Sequence, residues 1–156
     1  MIAYAMLGEG EQAIDLLRML NPIASTTTRT GIYAYKVEPY ILAADIYSEP
    51  PHARRGGWTW YTGAAGWYYR AGLEWALGLQ VRGDKLVFNP CIPKVWRNYS
   101  LIYQHQQTRY EIAVENPNAV TRGIVFIELD GERQTSGDSI LLCNDEQVHQ
   151  VRVLLG

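Results

Sequence analysis

Residues 62–88 read TGAAGWYYRAGLEWALGLQVRGDKLVF, and this stretch decides the fold class. Trp67, Ala71 and Trp75 follow one another at intervals of one helical turn, which predicts a helix over residues 62–77 with both tryptophans in the core. After Gly78 the helical spacing stops, and apolar residues begin to alternate with polar ones as in a half-buried strand. The chain therefore changes from helices to strands near residue 80.

The sequence before this stretch predicts further helices and two loops. Apolar residues at helical spacing, interrupted by glycine and proline, predict helices over residues 2–6, 13–20 and 39–47. Residues 24–31 are polar and rich in threonine, and residues 48–58 contain paired prolines and paired glycines, so both segments predict loops.

The sequence after it predicts a small antiparallel β-sandwich, because short alternating runs are separated by turn residues. The predicted strands are residues 86–88, 100–103, 109–115, 123–130 and 148–155. The fold class is therefore α+β, with a helical part over residues 1–79 and a β-sandwich over residues 80–156.

Composition excludes several classes of function. The 156 residues carry a formal net charge of −2 without a basic patch, so we expect no nucleic-acid partner. No apolar run is long enough to span a bilayer, and the basic start of a signal peptide is missing. Cys91 and Cys143 alone make neither a disulfide framework nor a metal site, so we expect a cytoplasmic protein without a metal. Asp130-Gly131 predicts a hairpin turn, and we assign no role to His105 or His149.

Residues 56–67, GGWTWYTGAAGW, alternate large rings with bare backbone. Aromatic rings cover the flat face of a sugar, and glycine lets backbone N–H groups approach a phosphate. Packing is the alternative explanation, in which the tryptophans belong to the core and the glycines let helices lie close together. The residues alone leave both interpretations open.

A family resemblance becomes visible when five blocks are taken in order. They are residues 19–23 (MLNPI), 35–40 (YKVEPY), 56–67, 72–75 (GLEW) and 90–93 (PCIP). Together they resemble the C-terminal segment of the inverting glycoside phosphorylases of glycoside hydrolase family 94. The strongest likeness is to the phosphorylase-like C-terminal region of the cyclic β-1,2-glucan synthases, and it covers nearly the whole chain.

The resemblance implies a fold and a reaction. Residues 1–79 would be the last helices of an (α/α)6 catalytic barrel, and residues 80–156 a β-sandwich of jelly-roll type. Because the chain begins inside a helical pattern, we expect it to be the tail of a larger protein. The family transfers a glucosyl unit to inorganic phosphate with inversion. Phosphate is then a co-substrate, no further cofactor is implied, and the partners are a β-glucan or gluco-oligosaccharide and phosphate.

The resemblance also implies binding residues. Thr62 and Gly63 match the family's phosphate-binding Thr-Gly, and the free N–H groups of a helix start would favour an anion there. A plain N-cap is the alternative for Thr62. Lys36 and Glu38 match a pair at the sugar subsite, where one donates to hydroxyls and the other accepts. A surface ion pair is the alternative, and Trp60 is the candidate for stacking on a sugar.

Other charged residues have weaker claims. His52, Arg54 and Arg55 could meet phosphate, or could be solvated charges of a loop. The family's general acid is an Asp far upstream, and no aspartate of this chain stands in a matching context. We therefore assign no catalytic residue and expect the chain to be inactive alone. Further expectations are self-association or contact with the missing part of the barrel. A stand-alone sugar- or phosphate-binding module is the alternative function, and a helical repeat scaffold is a third possibility.

Overall fold

The computed structural model describes residues 1–60 and 62–156, and for Thr62 it describes the backbone alone. Before residue 79 these residues form helices and one short antiparallel ladder. The helices are α1 (Ile2–Leu7), α2 (Gly10–Leu20), α3 (Pro22–Ser25), α4 (Arg29–Tyr35), α5 (Thr62–Arg70) and a π-helix (Ala71–Ala76), and the ladder pairs β1 (Asp45–Ile46) with β2 (Gly56–Gly57).

Two of the predicted helices are confirmed at the start of the chain. α1 ends at Gly8, whose φ of 84° lies in the left-handed region that glycine adopts without a steric cost. α2 ends before Asn21-Pro22, as the sequence predicts. Tyr68 of α5 donates a hydrogen bond to the carbonyl of Leu17 in α2 at 3.0 Å, which links these two helices.

The prediction of a loop over residues 24–31 is confirmed only for residues 26–28, because α3 extends to Ser25 and α4 begins at Arg29. Asn21 accepts a hydrogen bond from the N–H of Ile23 and caps α3. Thr28 accepts a hydrogen bond from the N–H of Gly31 and caps α4, and the two capping bonds are both 3.0 Å long. Polar residues of this kind end one helix and begin the next by satisfying free N–H groups, so a polar segment need not be a loop.

The prediction of a helix over residues 39–47 is wrong. Asp45 and Ile46 pair with Gly57 and Gly56, and the N–H of Tyr47 donates to the carbonyl of Arg55 at 2.9 Å. The backbone of this segment therefore finds its partners across the following loop rather than one helical turn back. The spacing of apolar residues does not show which of these two sets of hydrogen-bond partners the backbone will take.

The helix predicted over residues 62–77 is present as α5 followed by the π-helix, in which the N–H of Leu77 donates to the carbonyl of Gly72 at 2.9 Å. Trp75 packs against a small cluster of buried residues, Ala5, Ala13 and Cys91. Trp67 is 62% exposed, so its predicted place in the core is wrong.

All five predicted strands are present, with one more before the first of them and two more between the last two. The strands are β3 (Leu79–Arg82), β4 (Lys85–Phe88), β5 (Asn98–His105), β6 (Thr108–Glu115), β7 (Ile124–Leu129), β8 (Glu132–Arg133), β9 (Ser139–Leu141) and β10 (Val148–Leu155). Asp130 and Gly131 both have positive φ, 52° and 85°, and form the predicted hairpin turn between β7 and β8.

The strands form two sheets around one core. The larger has the order β5-β6-β10-β7-β8, and the smaller has the order β3-β4-β9. The prediction of an antiparallel sandwich is wrong for one pair, since β10 lies parallel to β6, and the other pairs are antiparallel. The buried core residues come from both sheets and the segment between them: Leu79, Leu86, Phe88, Ile92, Tyr110, Ile112, Val114, Ile127, Ile140, Val151, Val153 and Leu155. The α+β class is thus confirmed, and the (α/α)6 barrel and jelly-roll topology stay predictions. No helix in the described residues is long and apolar enough to cross a membrane.

Candidate functional site

An open cavity of about 400 Å³ lies between the end of α4 and the loop that leads into β2. Its described lining residues are Lys36, Val37, Glu38, Tyr47, His52, Arg55, Gly56, Gly57, Trp58 and Thr59. The cavity therefore brings together the two residues predicted at the sugar subsite, Lys36 and Glu38, with a histidine and an arginine from elsewhere in the chain.

One wall of the cavity is set by the end of α4. Lys36 is the C-cap of this helix and has a left-handed φ of 53°, which turns the chain sharply away from the helix axis. Tyr35 before it is buried, and its hydroxyl donates to the carbonyl of Ile41 at 3.4 Å. The carbonyl of Glu38 accepts the N–H of Ile41 at 3.0 Å. These contacts fix the backbone that carries both charged side chains.

The opposite wall is the loop between β1 and β2. Backbone hydrogen bonds join Tyr47 to Arg55 and Arg54 to Tyr47 at its base, at 2.9 and 2.7 Å. The N–H of Arg55 donates to the carbonyl of His52 at 3.0 Å, and the ring of His52 lies 6.2 Å from that of Tyr47. His52 and Arg55 are thus held on the cavity side of a closed loop.

Glycine is required where β2 meets these two walls. A Cβ on Gly56 would lie 2.7 Å from Cγ2 of Val37, and one on Gly57 would lie 2.5 Å from Oδ1 of Asp45. Both distances are shorter than van der Waals contact, so a larger residue would push the strand away. These two glycines therefore serve close packing, but of a strand rather than of the helices that the packing explanation expects. Trp58 and Trp60 after them are 64% and 63% exposed, so their predicted place in the core is wrong.

The chemistry of the lining suits a polar ligand. Lys36 and Arg55 carry positive charge, His52 can donate or accept, and Glu38 is the one carboxylate among the described lining residues. Within residues 1–60 and 62–156, the side chains of Lys36 and Glu38 make no ion pair, so the predicted alternative of a surface ion pair is not observed. Both groups are exposed and accessible to hydroxyls or an oxyanion.

The aromatic residue in the lining is not the one that the sequence singles out. Trp58 lines the cavity, whereas Trp60 is 63% exposed and packs edge-on against Tyr40, with ring centroids 6.3 Å apart. From the sequence, His52 and Arg55 are only possible phosphate contacts, and Trp58 is not singled out. The β1–β2 ladder closes the loop and so places these residues at the cavity. The sequence predicts a helix over residues 39–47, and this prediction does not include the ladder.

The predicted phosphate residues begin α5, three and four positions after Thr59 of the cavity lining. The side chain of Thr62 lies outside the described part of the structure, so both its phosphate role and its alternative as an N-cap stay predictions. A Cβ placed on Gly63 would meet nothing within 4 Å. The backbone at the start of this helix is therefore open to a ligand.

A second polar cluster lies in the sandwich, away from this cavity. His149 on β10 contacts Asp130 through Nδ1 at 2.6 Å, and Asp145 and Cys143 through Nε2 at 3.1 and 3.3 Å. The hydrogen bond with Asp130 raises the pKa of His149 and lowers the pKa of Asp130. Burial raises the pKa of Tyr110, which contacts Cys143, to about 12. Sequence reasoning assigned His149 no role, because its partners come from two separate turns.

Comparison with protein families divides the chain in two. Residues 1–78 match the family model described as "Glycosyl hydrolase 94 superfamily, catalytic domain". Residues 79–123 match the one described as "Glycosyl hydrolase family 65, C-terminal domain".

Individual relatives extend the similarity over most of the chain. It is 43% identical over 81% of its length to the cyclic beta-(1,2)-glucan synthase NdvB of Rhizobium meliloti (strain 1021), and spans 4% of that protein. It is 32% identical over 99% of its length to an N,N'-diacetylchitobiose phosphorylase of Vibrio furnissii, and 28% over 97% to a solabiose phosphorylase of Paenibacillus borealis. The chain spans 19% of each of these two phosphorylases.

Proposed function

This chain belongs to the glycosyl hydrolase 94 superfamily, and on that basis we propose that it supplies one side of a site where a glucosyl unit is transferred to inorganic phosphate with inversion. The observation that supports this most is the cavity in which Lys36 and Glu38 face His52 and Arg55. Relatives are named as a glucan synthase and as phosphorylases, so the proposed substrates are a β-linked gluco-oligosaccharide and phosphate. A binding module without catalysis has no specific observation in its favour.

The proposed roles follow from the chemistry of the lining. Lys36 donates to glucosyl hydroxyls and Glu38 accepts from them, which fixes the orientation of the sugar. The hydroxyl of Thr62 and the N–H of Gly63 bind phosphate at the start of α5, where the helix dipole favours negative charge. Arg55 and His52 add charged donors on the cavity side.

Phosphate is already an anionic nucleophile, so transfer needs no base. One phosphate oxygen forms the new bond to the anomeric carbon while the glycosidic bond breaks, and the departing oxygen takes a proton from a carboxylic acid. In this arrangement Glu38 accepts hydrogen bonds from the sugar hydroxyls, so it is not the proton donor. We therefore propose that the acid comes from an aspartate in the remainder of an (α/α)6 barrel, and that the present chain alone does not catalyse phosphorolysis.

Binding by the full 156-residue chain tests the proposal. A β-1,2-linked glucose disaccharide is titrated while backbone amide shifts are followed by NMR. We expect weak binding, with shifts concentrated at residues 36–38 and 55–59. Because hydrogen bonds to charged groups contribute about 1.5–3 kcal/mol, Lys36→Met and Glu38→Gln should each weaken binding by about 10-fold or more.

Two exposed residues outside the cavity provide matched controls. Lys85→Met on β4 and Glu49→Gln in the loop remove the same charges and should leave the affinity unchanged. Equal affinity in all four variants, or shifts confined to the sandwich, would show that this cavity is not the sugar site. Release of glucose 1-phosphate by the pure chain would contradict its proposed lack of activity.

A further inference from the structure

We propose that Cys143, Asp145 and His149 form a binding site for Zn²⁺ in the sandwich, with Asp130 orienting His149 from behind. The site lies apart from the sugar cavity, and it does not depend on the function proposed above. It joins the turn between β9 and β10 to the hairpin between β7 and β8.

The distances between the donor atoms fit one tetrahedral ion. Nε2 of His149 lies 3.1 Å from Oδ2 of Asp145 and 3.3 Å from Sγ of Cys143, and all three donor atoms lie within 4.8 Å of one another. Zinc bonds of about 2.0–2.1 Å to nitrogen and oxygen and about 2.3 Å to sulfur would separate nitrogen from oxygen by about 3.3 Å and nitrogen from sulfur by about 3.6 Å. The side chains are therefore nearly in place before any ion is considered.

The hydrogen bonds of His149 bring lone pairs of nitrogen, oxygen and sulfur close together. Nδ1 faces Oδ2 of Asp130 at 2.6 Å, and the same aspartate is held by the N–H of Gln150 through Oδ1 at 2.8 Å. An Nδ1–H directed at Asp130 leaves the lone pair of Nε2 facing a carboxylate oxygen and a sulfur. Three lone pairs repel one another unless a hydrogen atom or a metal ion lies between them. The S–H of Cys143, a proton on Nε2 or a metal ion can fill this place, and a zinc ion would displace the thiol hydrogen.

Asp145 and Cys143 are also held by hydrogen bonds from residues outside the proposed site, as is usual for metal ligands. Oδ1 of Asp145 accepts from the hydroxyl of Thr108 at 3.0 Å and from the N–H of Gln147 at 3.1 Å, which leaves Oδ2 directed at His149. The N–H of Cys143 donates to the hydroxyl oxygen of Tyr110 at 2.8 Å. The hydroxyl hydrogen of Tyr110 is then available to the cysteine sulfur, 3.3 Å away, and would stabilise a thiolate.

The donor set selects the class of metal. One thiolate, one imidazole and one carboxylate suit zinc, whereas calcium and magnesium prefer oxygen ligands alone. Cys143 and Asp145 are exposed, so an ion can reach the site and water can complete the fourth position. The two negative ligands would balance the charge of a divalent ion.

The test uses the full chain without a polyhistidine tag, stripped with a chelator under reducing conditions. Co²⁺ serves as the spectroscopic probe, since a thiolate ligand adds a sulfur-to-cobalt charge-transfer band in the near ultraviolet. We expect this band to saturate at one equivalent, and Zn²⁺ to displace the cobalt. Elemental analysis after dialysis should give one zinc per chain, and zinc should raise the melting temperature.

Variants distinguish zinc binding by Cys143, Asp145 and His149 from non-specific zinc binding elsewhere on the chain. Cys143→Ser should abolish the charge-transfer band while leaving the second cysteine, Cys91, in place. His149→Gln should lower zinc affinity by at least about 100-fold, and Asp130→Asn by about 10–100-fold as an outer partner. His105→Gln, a histidine on β5 outside the cluster, is the control and should change nothing.

Two results would overturn the proposal. One is the absence of both the cobalt band and retained zinc, which would mean that hydrogen atoms on His149 and Cys143 satisfy the cluster without a metal. The other is equal zinc affinity in the native chain and the Cys143→Ser and His149→Gln variants. Because Cys143 is exposed on a turn, its serine variant is expected to fold, and the melting curve of the metal-free protein verifies this.

Discussion

The hydroxyl of Tyr99 donates a hydrogen bond of 2.8 Å to the carbonyl of Leu77. Leu77 is the C-cap of the π-helix, and Tyr99 lies on β5 of the larger sheet. Burial raises the pKa of Tyr99, as expected for a phenol enclosed between two layers. This bond fastens the last helical turn to the sandwich and satisfies a carbonyl that the helix leaves without an internal partner.

Removing this hydroxyl should destabilise the chain without changing its fold. Tyr99→Phe keeps the ring but leaves the carbonyl of Leu77 without its donor, so we expect unfolding free energy to fall by about 1–2 kcal/mol in urea denaturation. Tyr103→Phe is the control, because the hydroxyl of Tyr103 makes no hydrogen bond within the described residues. Similar losses in the two variants would contradict this role.

Gly10 is expected to tolerate no side chain, although it begins a helix. A Cβ at this position would lie 2.3 Å from the carbonyl oxygen of Ile92, so α2 would have to move away from the sandwich. Gly10→Ala should cost about 1–3 kcal/mol, as overpacking does. Gly66→Ala in α5 meets nothing within 4 Å and should gain up to about 1 kcal/mol from helix propensity. Thermal or chemical unfolding should therefore show a lower free energy of unfolding for Gly10→Ala and a higher one for Gly66→Ala.

Phosphate should bind at the start of α5 through Thr62. In an NMR titration with inorganic phosphate, the amides of Gly63 and Ala64 should shift, with millimolar affinity because one helix end supplies few contacts. Thr62→Val keeps the shape and removes the hydroxyl, so it should weaken the response. Equal responses in the two proteins would exclude Thr62 as a ligand, and no response in either would leave only a capping role.

The helical part should cause the isolated chain to self-associate. An apolar cavity of about 440 Å³ lies among α1, α2 and α5, where Trp67 is 62% exposed, and Leu7 at the end of α1 is 76% exposed. Large apolar patches are rarely left open on soluble monomers. Light scattering at micromolar concentration should give a mass above that of one chain, reduced by Leu20→Glu. A clean monomer for the native chain would refute this expectation.

The strands were predictable because one face of each sheet is buried. In β6 the buried positions alternate as expected through Tyr110, Ile112 and Val114, so the period of two is visible in the sequence. The helix predicted at residues 39–47 is absent because residues 44–47 have their backbone partners at residues 54–58, which local spacing does not report. The caps Asn21 and Thr28 act through one hydrogen bond each, and their residue types occur in loops as well.

The candidate site was predictable only in the part that the family blocks contain. Lys36 and Glu38 are recognised from their place before Pro39-Tyr40, and the structure does bring them to one cavity. His52 and Arg55 reach that cavity through a closed loop, which is a tertiary feature. The same reason explains why the contact between His149 and Asp130, 19 residues apart, could not be inferred.

The position of β10 sets an order of events during folding. This strand lies between β6 and β7 in the larger sheet, yet it follows both in the chain. Until β10 docks, β6 and β7 each have an edge whose N–H and carbonyl groups lack their final partner. Such edges recruit strands from other chains. The sheet can close only once β10 has inserted, so a change that slows this step would lengthen the interval in which partly folded chains are prone to aggregate.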